Sequence, residues 1–186
     1  MNETKVITGK VRFSYLNVFE PTAIDENSRK TYNVSLIIPK SDTATIGKIN
    51  KAIASAKELY KSKLADKNGK LPANLWNPLR DGDIERADSL EYENSFFISA
   101  KSEIKPGLVD KDLNPIMSRE EMYSGCYGRA SISFFGFSTS GNKGIACGLN
   151  HLQKLSDGEP LGGGSTAEAD FGGENAYAGS DGDDLL

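Results

Sequence analysis

Residues whose side chains could perform catalysis are few in this chain, and their spacing matches no familiar arrangement. There is one histidine, His151, and there are two cysteines, Cys126 and Cys147. Histidine is the residue used most often for general acid–base catalysis, and zinc sites need Cys or His at short spacings such as CxxC or HxxxH. Neither spacing occurs here. We therefore expect no metal site, and we interpret the cysteines as reduced, packed thiols.

Carboxylates are the remaining candidates for catalysis. Asp81, Asp83 and Asp88 lie in an acidic cluster at residues 81–88. Such side chains could hold Mg²⁺ in a nuclease, but the other ligand positions of a calcium loop are absent, and an Asp-Gly-Asp triplet is typical of a polar turn. We expect a protein that is not an enzyme and uses no cofactor. The alternative is a magnesium-dependent nuclease or a replication accessory enzyme that uses residues 81–88.

A different chemistry is available to rings and cations that share one face of three predicted strands, at residues 5–15, 95–101 and 126–138. Exposed rings stack on unpaired bases for roughly 1–3 kcal/mol each, and Lys and Arg neutralise phosphates. These features predict a surface that binds single-stranded DNA without regard to sequence, although any one ring could instead cap a second core layer. The predicted nucleic-acid-binding residues are Lys10, Arg12, Phe97, Lys101, Tyr127, Arg129, Phe135 and Phe137.

The strands that would position these residues alternate between apolar and polar side chains, which is the pattern of a half-buried strand. Residues 31–38 and a return strand from Lys143 repeat the pattern. The residues predicted to face the core in the first two strands are Ile7, Val11, Phe13, Tyr15, Tyr32, Val34, Leu36 and Ile38.

One stretch between the strands has helical periodicity instead. Apolar residues recur at three- and four-residue steps from Ile46 to Leu64, after N-cap candidates at residues 41–43. This predicts an amphipathic helix of about 20 residues. Two prolines and a glycine make residues 71–90 an irregular connector. The combination predicts a mainly β fold with one substantial helix, organised as a small OB-like barrel.

Charge divides the chain into two parts. Residues 1–155 contain 22 basic and 18 acidic residues, a net charge of +4, whereas residues 156–186 contain 8 acidic and no basic residues, a net charge of −8. We therefore predict an OB-like DNA-binding domain at residues 1–155 and a disordered acidic tail at residues 156–186. The predicted partner-binding residues of the tail are Asp181, Asp183, Asp184, Leu185 and Leu186.

Several segments of the domain resemble the small phage single-stranded DNA-binding proteins of OB fold. They are Trp-Asn-Pro-Leu-Arg-Asp-Gly-Asp at 76–83, Lys-Pro-Gly-Leu-Val-Asp at 105–110, Tyr-Ser-Gly-Cys-Tyr at 123–127 and Lys-Gly-Ile at 143–145. The acidic tail is similar to those of replication single-strand binders generally, although related tails often end in an aromatic residue or Pro-Phe.

The resemblance implies that the protein coats exposed strands in phage DNA replication or recombination. It implies no cofactor, and it implies replication or recombination proteins as partners of the tail. The sequence leaves open whether the protein forms a homodimer. The chain has no apolar run long enough to span a bilayer and no signal-peptide layout at its start, so we expect a cytoplasmic protein, in the host cell if it is phage-encoded.

Overall fold

The computed structural model describes residues 3–23 and 25–161. In these residues the chain forms eight strands and three α-helices, with a short 3-10 helix at Leu90–Tyr92. The strands are β1 (Lys5–Ile7), β2 (Val11–Thr22), β3 (Thr31–Pro39), β4 (Arg80–Asp81), β5 (Ser95–Ser102), β6 (Gly107–Val109), β7 (Tyr127–Thr139) and β8 (Asn142–Ser156). The helices are α1 (Thr43–Leu59), α2 (Lys61–Leu64) and α3 (Gly82–Glu85).

Five of the strands close into a barrel in the order β7-β2-β3-β5-β8, with β8 returning to β7. The β5–β8 pair is parallel, with Ala100 opposite Cys147, and the other four pairs are antiparallel. Closure leaves these five strands without free edges, and five is the strand number of an OB fold. The predicted mainly β fold with one substantial helix is confirmed.

The substantial helix, α1, covers one side of the barrel. Its N-cap is Asp42, whose carboxylate accepts a hydrogen bond from the Thr45 backbone at 3.1 Å. The helix buries Ile49, Ile53 and Ala56 in the core. The predicted helix is interrupted at Tyr60, and its last turn is the separate helix α2. Among the described residues, no helix is both long enough and apolar enough to cross a membrane.

Two residues predicted to face the core are exposed instead. Ile7 is 40% exposed and Tyr15 is 61% exposed. The predicted strand 5–15 breaks after β1, so that Val6 rather than Ile7 points inward. Tyr15 has a φ of +47° beside a register shift in the β2–β3 pair. An irregularity of this kind turns a strand and re-aims its side chains, which alternation alone does not reveal.

Residues 157–161, which were predicted to belong to the tail, contact the barrel, and we call them the strap. The Tyr123 hydroxyl donates to Asp157 at 2.9 Å, Arg12 Nη2 donates to the Glu159 carbonyl at 2.7 Å, and the Leu161 backbone donates to the Ser124 carbonyl at 2.8 Å. The predicted partner-binding residues, from Asp181 to Leu186, lie outside the described residues.

Candidate nucleic-acid interface

A row of five residues crosses the outer face of the barrel. The strand register places Tyr127 opposite Arg12, Arg12 opposite Ile37, Ile37 opposite Phe97, and Phe97 opposite Arg80. Directly opposed residues project to the same side of a sheet. Predicted site residues from three different strands therefore do share one face.

One end of this row opens into a groove of about 390 Å³, and it brings together three of the predicted residues. Phe135 is 40% exposed, Lys101 is exposed, and Phe97 lines the same groove. Five further lining residues come from the connector 71–90, and the rest come from β5 and β8. We call this site the groove, and its principal lining residues are Trp76, Arg80, Arg86, Phe97, Lys101 and Phe135.

Trp76 supplies the largest exposed ring of the groove, and its backbone is fixed to β8. Its N–H donates to the Lys143 carbonyl at 2.9 Å, and its carbonyl accepts from the Ile145 N–H at 3.0 Å. The side chain is 49% exposed. Tight anchoring of the backbone with an open ring is the arrangement that a base-stacking platform needs, because the ring loses little freedom on binding.

Arg80 lies against the Trp76 ring, with its guanidinium carbon 4.0 Å from the ring centroid. Glu85 holds the guanidinium through two hydrogen bonds, at 2.5 Å from Nε and 2.9 Å from Nη2. A planar guanidinium held in this way is pre-organised for contact with a phosphate or a base. The sequence prediction missed Trp76 and Arg80, although the position of two arginines within ten residues of the chain's sole tryptophan was a usable signal.

Phe97 does not offer its ring to a base, contrary to the prediction. It is only 4% exposed. Tyr92 packs edge-on against it with the ring centroids 5.2 Å apart, and the Arg86 guanidinium lies 4.8 Å from the centroid of Phe97. The exposed group at this point of the groove is therefore Arg86, which the sequence prediction also missed, and Phe97 belongs to a second core layer.

Arg12 and Tyr127 stand at the other end of the row, and Lys10 and Arg129 are their neighbours in sequence. We call the four residues Lys10, Arg12, Tyr127 and Arg129 the Tyr127 cluster. Both Lys10 Nζ and the Arg12 guanidinium lie 5.3 Å from the Tyr127 ring centroid. Arg129 is exposed and donates to the Thr8 carbonyl at 3.1 Å.

The Tyr127 cluster is separated from the exposed rings of the groove. Phe135 is eight residue steps along β7 from Tyr127, which corresponds to about 26 Å of extended strand. Phe137 lies two residues further on and borders a cavity beside Trp76. The predicted residues thus occupy two ends of one face rather than a single patch.

Two carboxylates of the acidic cluster at residues 81–88 form ion pairs with a lysine. Lys40 Nζ lies 2.9 Å from the Asp81 carboxylate and 2.7 Å from that of Asp83. The hydrogen bond from Lys40 holds the pKa of Asp83 below its usual range. No group of three or more His, Cys, Asp or Glu side chains in residues 3–23 and 25–161 is arranged to hold a metal ion. The described geometry favours a structural role for Asp81 and Asp83 over magnesium binding.

Comparison with known proteins identifies one family. Residues 4–185 match the family described as the ssDNA-binding protein of Enterobacter phage Enc34. A relative, putative protein p50 of Acyrthosiphon pisum secondary endosymbiont phage 1, is 30% identical over 173 residues, which cover 89% of this chain and 91% of the relative.

Solved structures of phage single-stranded DNA-binding proteins are similar to the structure of this chain. The single-stranded DNA-binding protein of bacteriophage Enc34 in complex with ssDNA has a TM-score of 0.70 and 28% identity, over 86% of this chain and 90% of the other. The single-stranded DNA-binding protein gp2.5 of bacteriophage T7 has a TM-score of 0.64 over 95% of this chain and 98% of the other. At 16% identity, the second likeness shows the fold alone.

Proposed function

The chain belongs to the phage Enc34 family of single-stranded DNA-binding proteins, and we propose that it binds and protects single-stranded DNA during phage DNA replication or recombination. The observation that carries the proposal is the groove, where the exposed rings of Trp76 and Phe135 lie beside three cationic side chains. The related phage Enc34 protein has been solved in complex with ssDNA.

The chemistry of the groove favours unpaired bases of any sequence. Each base has a π face, so stacking on Trp76 and Phe135 contributes roughly 1–3 kcal/mol per base without hydrogen-bond readout. Arg80, Arg86 and Lys101 can neutralise the phosphates that pass over them, with release of counterions. Duplex bases are already paired and stacked, so they cannot reach the rings. The proposed function is binding, with no bond made or broken, and the protein is not an enzyme.

Trp76 makes the proposal directly testable, because it is the only tryptophan in the chain. We expect oligo-dT to quench the intrinsic fluorescence of the full-length protein at moderate salt and a matched duplex to leave it nearly unchanged. Binding should weaken as salt rises. Equal affinity for the duplex would contradict the proposal.

The same titration, run with and without magnesium, separates binding from the nuclease alternative. We expect an end-labelled oligonucleotide to stay intact in excess magnesium and to bind equally well in EDTA. Cleavage that requires magnesium and disappears in an Asp81→Asn, Asp83→Asn double variant would instead support catalysis by residues 81–88.

We further propose that the last residues of the chain bind replication or recombination proteins in the cytoplasm of the host cell. The support is chemical, since Asp181, Asp183 and Asp184 place acids directly before the apolar pair Leu185 and Leu186. Deletion of the two leucines should leave DNA affinity unchanged while it weakens capture of the purified phage polymerase or recombinase. Sedimentation velocity of the protein alone tests whether it forms a homodimer, which the sequence leaves open.

A further inference from the structure

Trp76 also borders a second cavity, which shares no other lining residue with the groove. Its volume is about 630 Å³, within the range of small-ligand sites. Phe137 forms part of its wall, and Arg80 does not. Trp76 therefore borders the groove and this cavity, whereas Arg80 borders the groove alone. We call it the Trp76–Phe137 cavity.

The two rings of this cavity are held in place by the fold. The Trp76 backbone is hydrogen-bonded on both sides of Gly144, and a Cβ atom added at Gly144 would collide with it. Phe137 is half-buried on β7, opposite Gly144 in the β7–β8 register. The lack of a side chain at Gly144 thus lets Trp76 approach β8 closely, and Trp76 and Phe137 both line the cavity.

Among the residues that line the cavity is a carboxylate, Asp66, whose first oxygen is oriented by backbone hydrogen bonds. Asp66 Oδ1 accepts hydrogen bonds from the backbone N–H groups of Asn68 and Lys70, at 2.8 and 3.0 Å. Within residues 3–23 and 25–161, no group donates to the second oxygen, Oδ2. An ionised carboxylate is an acceptor only, so Asp66 keeps one oxygen that can accept a hydrogen bond from a ligand.

We propose that the Trp76–Phe137 cavity is a second nucleobase subsite, in which one base stacks on the rings and donates an amino hydrogen to Asp66. The inference rests on the proposed function, since it extends the path of the same DNA strand beyond the groove. Cytosine presents an N4 amino donor, whereas thymine presents the O4 carbonyl at the same position. The subsite therefore favours cytosine over thymine, while stacking in the groove is indifferent to the base.

Affinities of the full chain for oligo-dC and oligo-dT of equal length, measured at pH 8 and one salt concentration, test this proposal. Asp66→Asn keeps an acceptor for the Asn68–Lys70 turn but replaces the second oxygen with an amino donor, which suits thymine. We expect the ratio of Kd for oligo-dT to Kd for oligo-dC to fall by about fivefold or more. Phe137→Leu, which keeps the wall apolar but removes the ring, should weaken binding to both oligonucleotides.

Asp112→Asn is the matched control, because it removes the same charge elsewhere. Asp112 follows β6, which pairs with β8 at residues 151–153, whereas the cavity borders β8 at Asn142 and Lys143. The dT-to-dC ratio of this control should equal that of the wild type. A ratio for Asp66→Asn that matched the control, or unchanged affinities for Phe137→Leu, would overturn the subsite. If the wild-type chain bound neither oligonucleotide, the proposed function itself would be overturned.

Discussion

At the scale of single residues, Phe97 and Phe135 line the same groove but differ in what surrounds them. Phe135 has an open ring, whereas Phe97 is covered by Tyr92 and Arg86. Phe135→Ala should weaken single-strand binding by about 1–3 kcal/mol with little change in melting temperature. Fluorescence anisotropy with oligo-dT and a thermal melt check this prediction. Leu90→Ala, at an exposed apolar position outside the groove lining, serves as the control and should alter neither measurement.

The opposite result is expected for the buried ring. Phe97→Ala leaves a cavity beneath Tyr92, and truncation of a buried phenylalanine costs about 3–5 kcal/mol of unfolding free energy. Chemical denaturation should therefore show a large loss of stability. Oligo-dT affinity, measured where the variant is still folded, should change less than it does for Phe135→Ala. A stable Phe97→Ala protein with strongly reduced affinity would show that this ring meets the DNA.

Which of the site residues the sequence could predict depends on what determines their exposure. Strand alternation correctly placed Lys101 and Phe135 on the exposed outer face, because that rule is local. Alternation could not show that Phe97 is covered, because its cover comes from Tyr92 and Arg86, outside the strand. Trp76 lies in a connector whose path is set by hydrogen bonds to β8, so no periodicity pointed to its role.

At the scale of elements, the connector 71–90 depends on a clamp between Lys40 at the end of β3 and the two aspartates that flank Gly82. Asp81 also accepts from the Asp83 backbone at 2.9 Å, and Asp83 accepts from the Asn94 backbone at 2.9 Å. Lys40→Met would leave two carboxylates close together without their cation. We expect weaker oligo-dT binding, because Arg80 and Arg86 are carried by the segment that the clamp holds.

The clamp also predicts a pH dependence. The hydrogen bond from Lys40 lowers the pKa of Asp83 from its usual 3.8 in the folded protein. A carboxyl whose pKa is lowered on folding contributes stability above its unfolded pKa and loses it as the pH falls through the folded value. The stability difference between wild type and Lys40→Met should therefore be constant near neutral pH and shrink below about pH 3.8. Urea unfolding measured from pH 7 to pH 3 checks it.

Sequence periodicity predicted the elements better than their interruptions. The strand at 31–38 and the helix from residue 43 match β3 and α1 closely, because each has an uninterrupted apolar pattern. The breaks at residues 8–10 and at Tyr60 were missed. Tertiary contacts accompany both: Gly9 donates to the Thr45 hydroxyl at 2.9 Å, and a Cβ atom at Gly136 would collide with Tyr60. Neither contact leaves a local signal in the sequence.

At the scale of the whole molecule, the strap determines where the acidic residues 162–186 are attached to the barrel. The strap passes the Tyr127 cluster and brings Leu161 against Ile37, Tyr92 and Phe97. Residues 162–186 therefore continue from a point beside the groove, and they contain six acidic and no basic residues. We expect acids attached at this point to compete with DNA phosphates for the same arginines and lysines, because they are tethered anions with a high effective concentration.

A full-length variant with these six acids replaced by their amides tests the competition without shortening the chain. The replaced residues are Glu168, Asp170, Glu174, Asp181, Asp183 and Asp184. At low salt the variant should bind oligo-dT more tightly than the wild type, because no polyanion remains to be displaced. The difference should shrink as salt rises towards about 1 M, where the screening length falls to about 3 Å. Equal affinities at low salt would show that residues 162–186 do not compete with DNA, and only their proposed role in partner binding would remain.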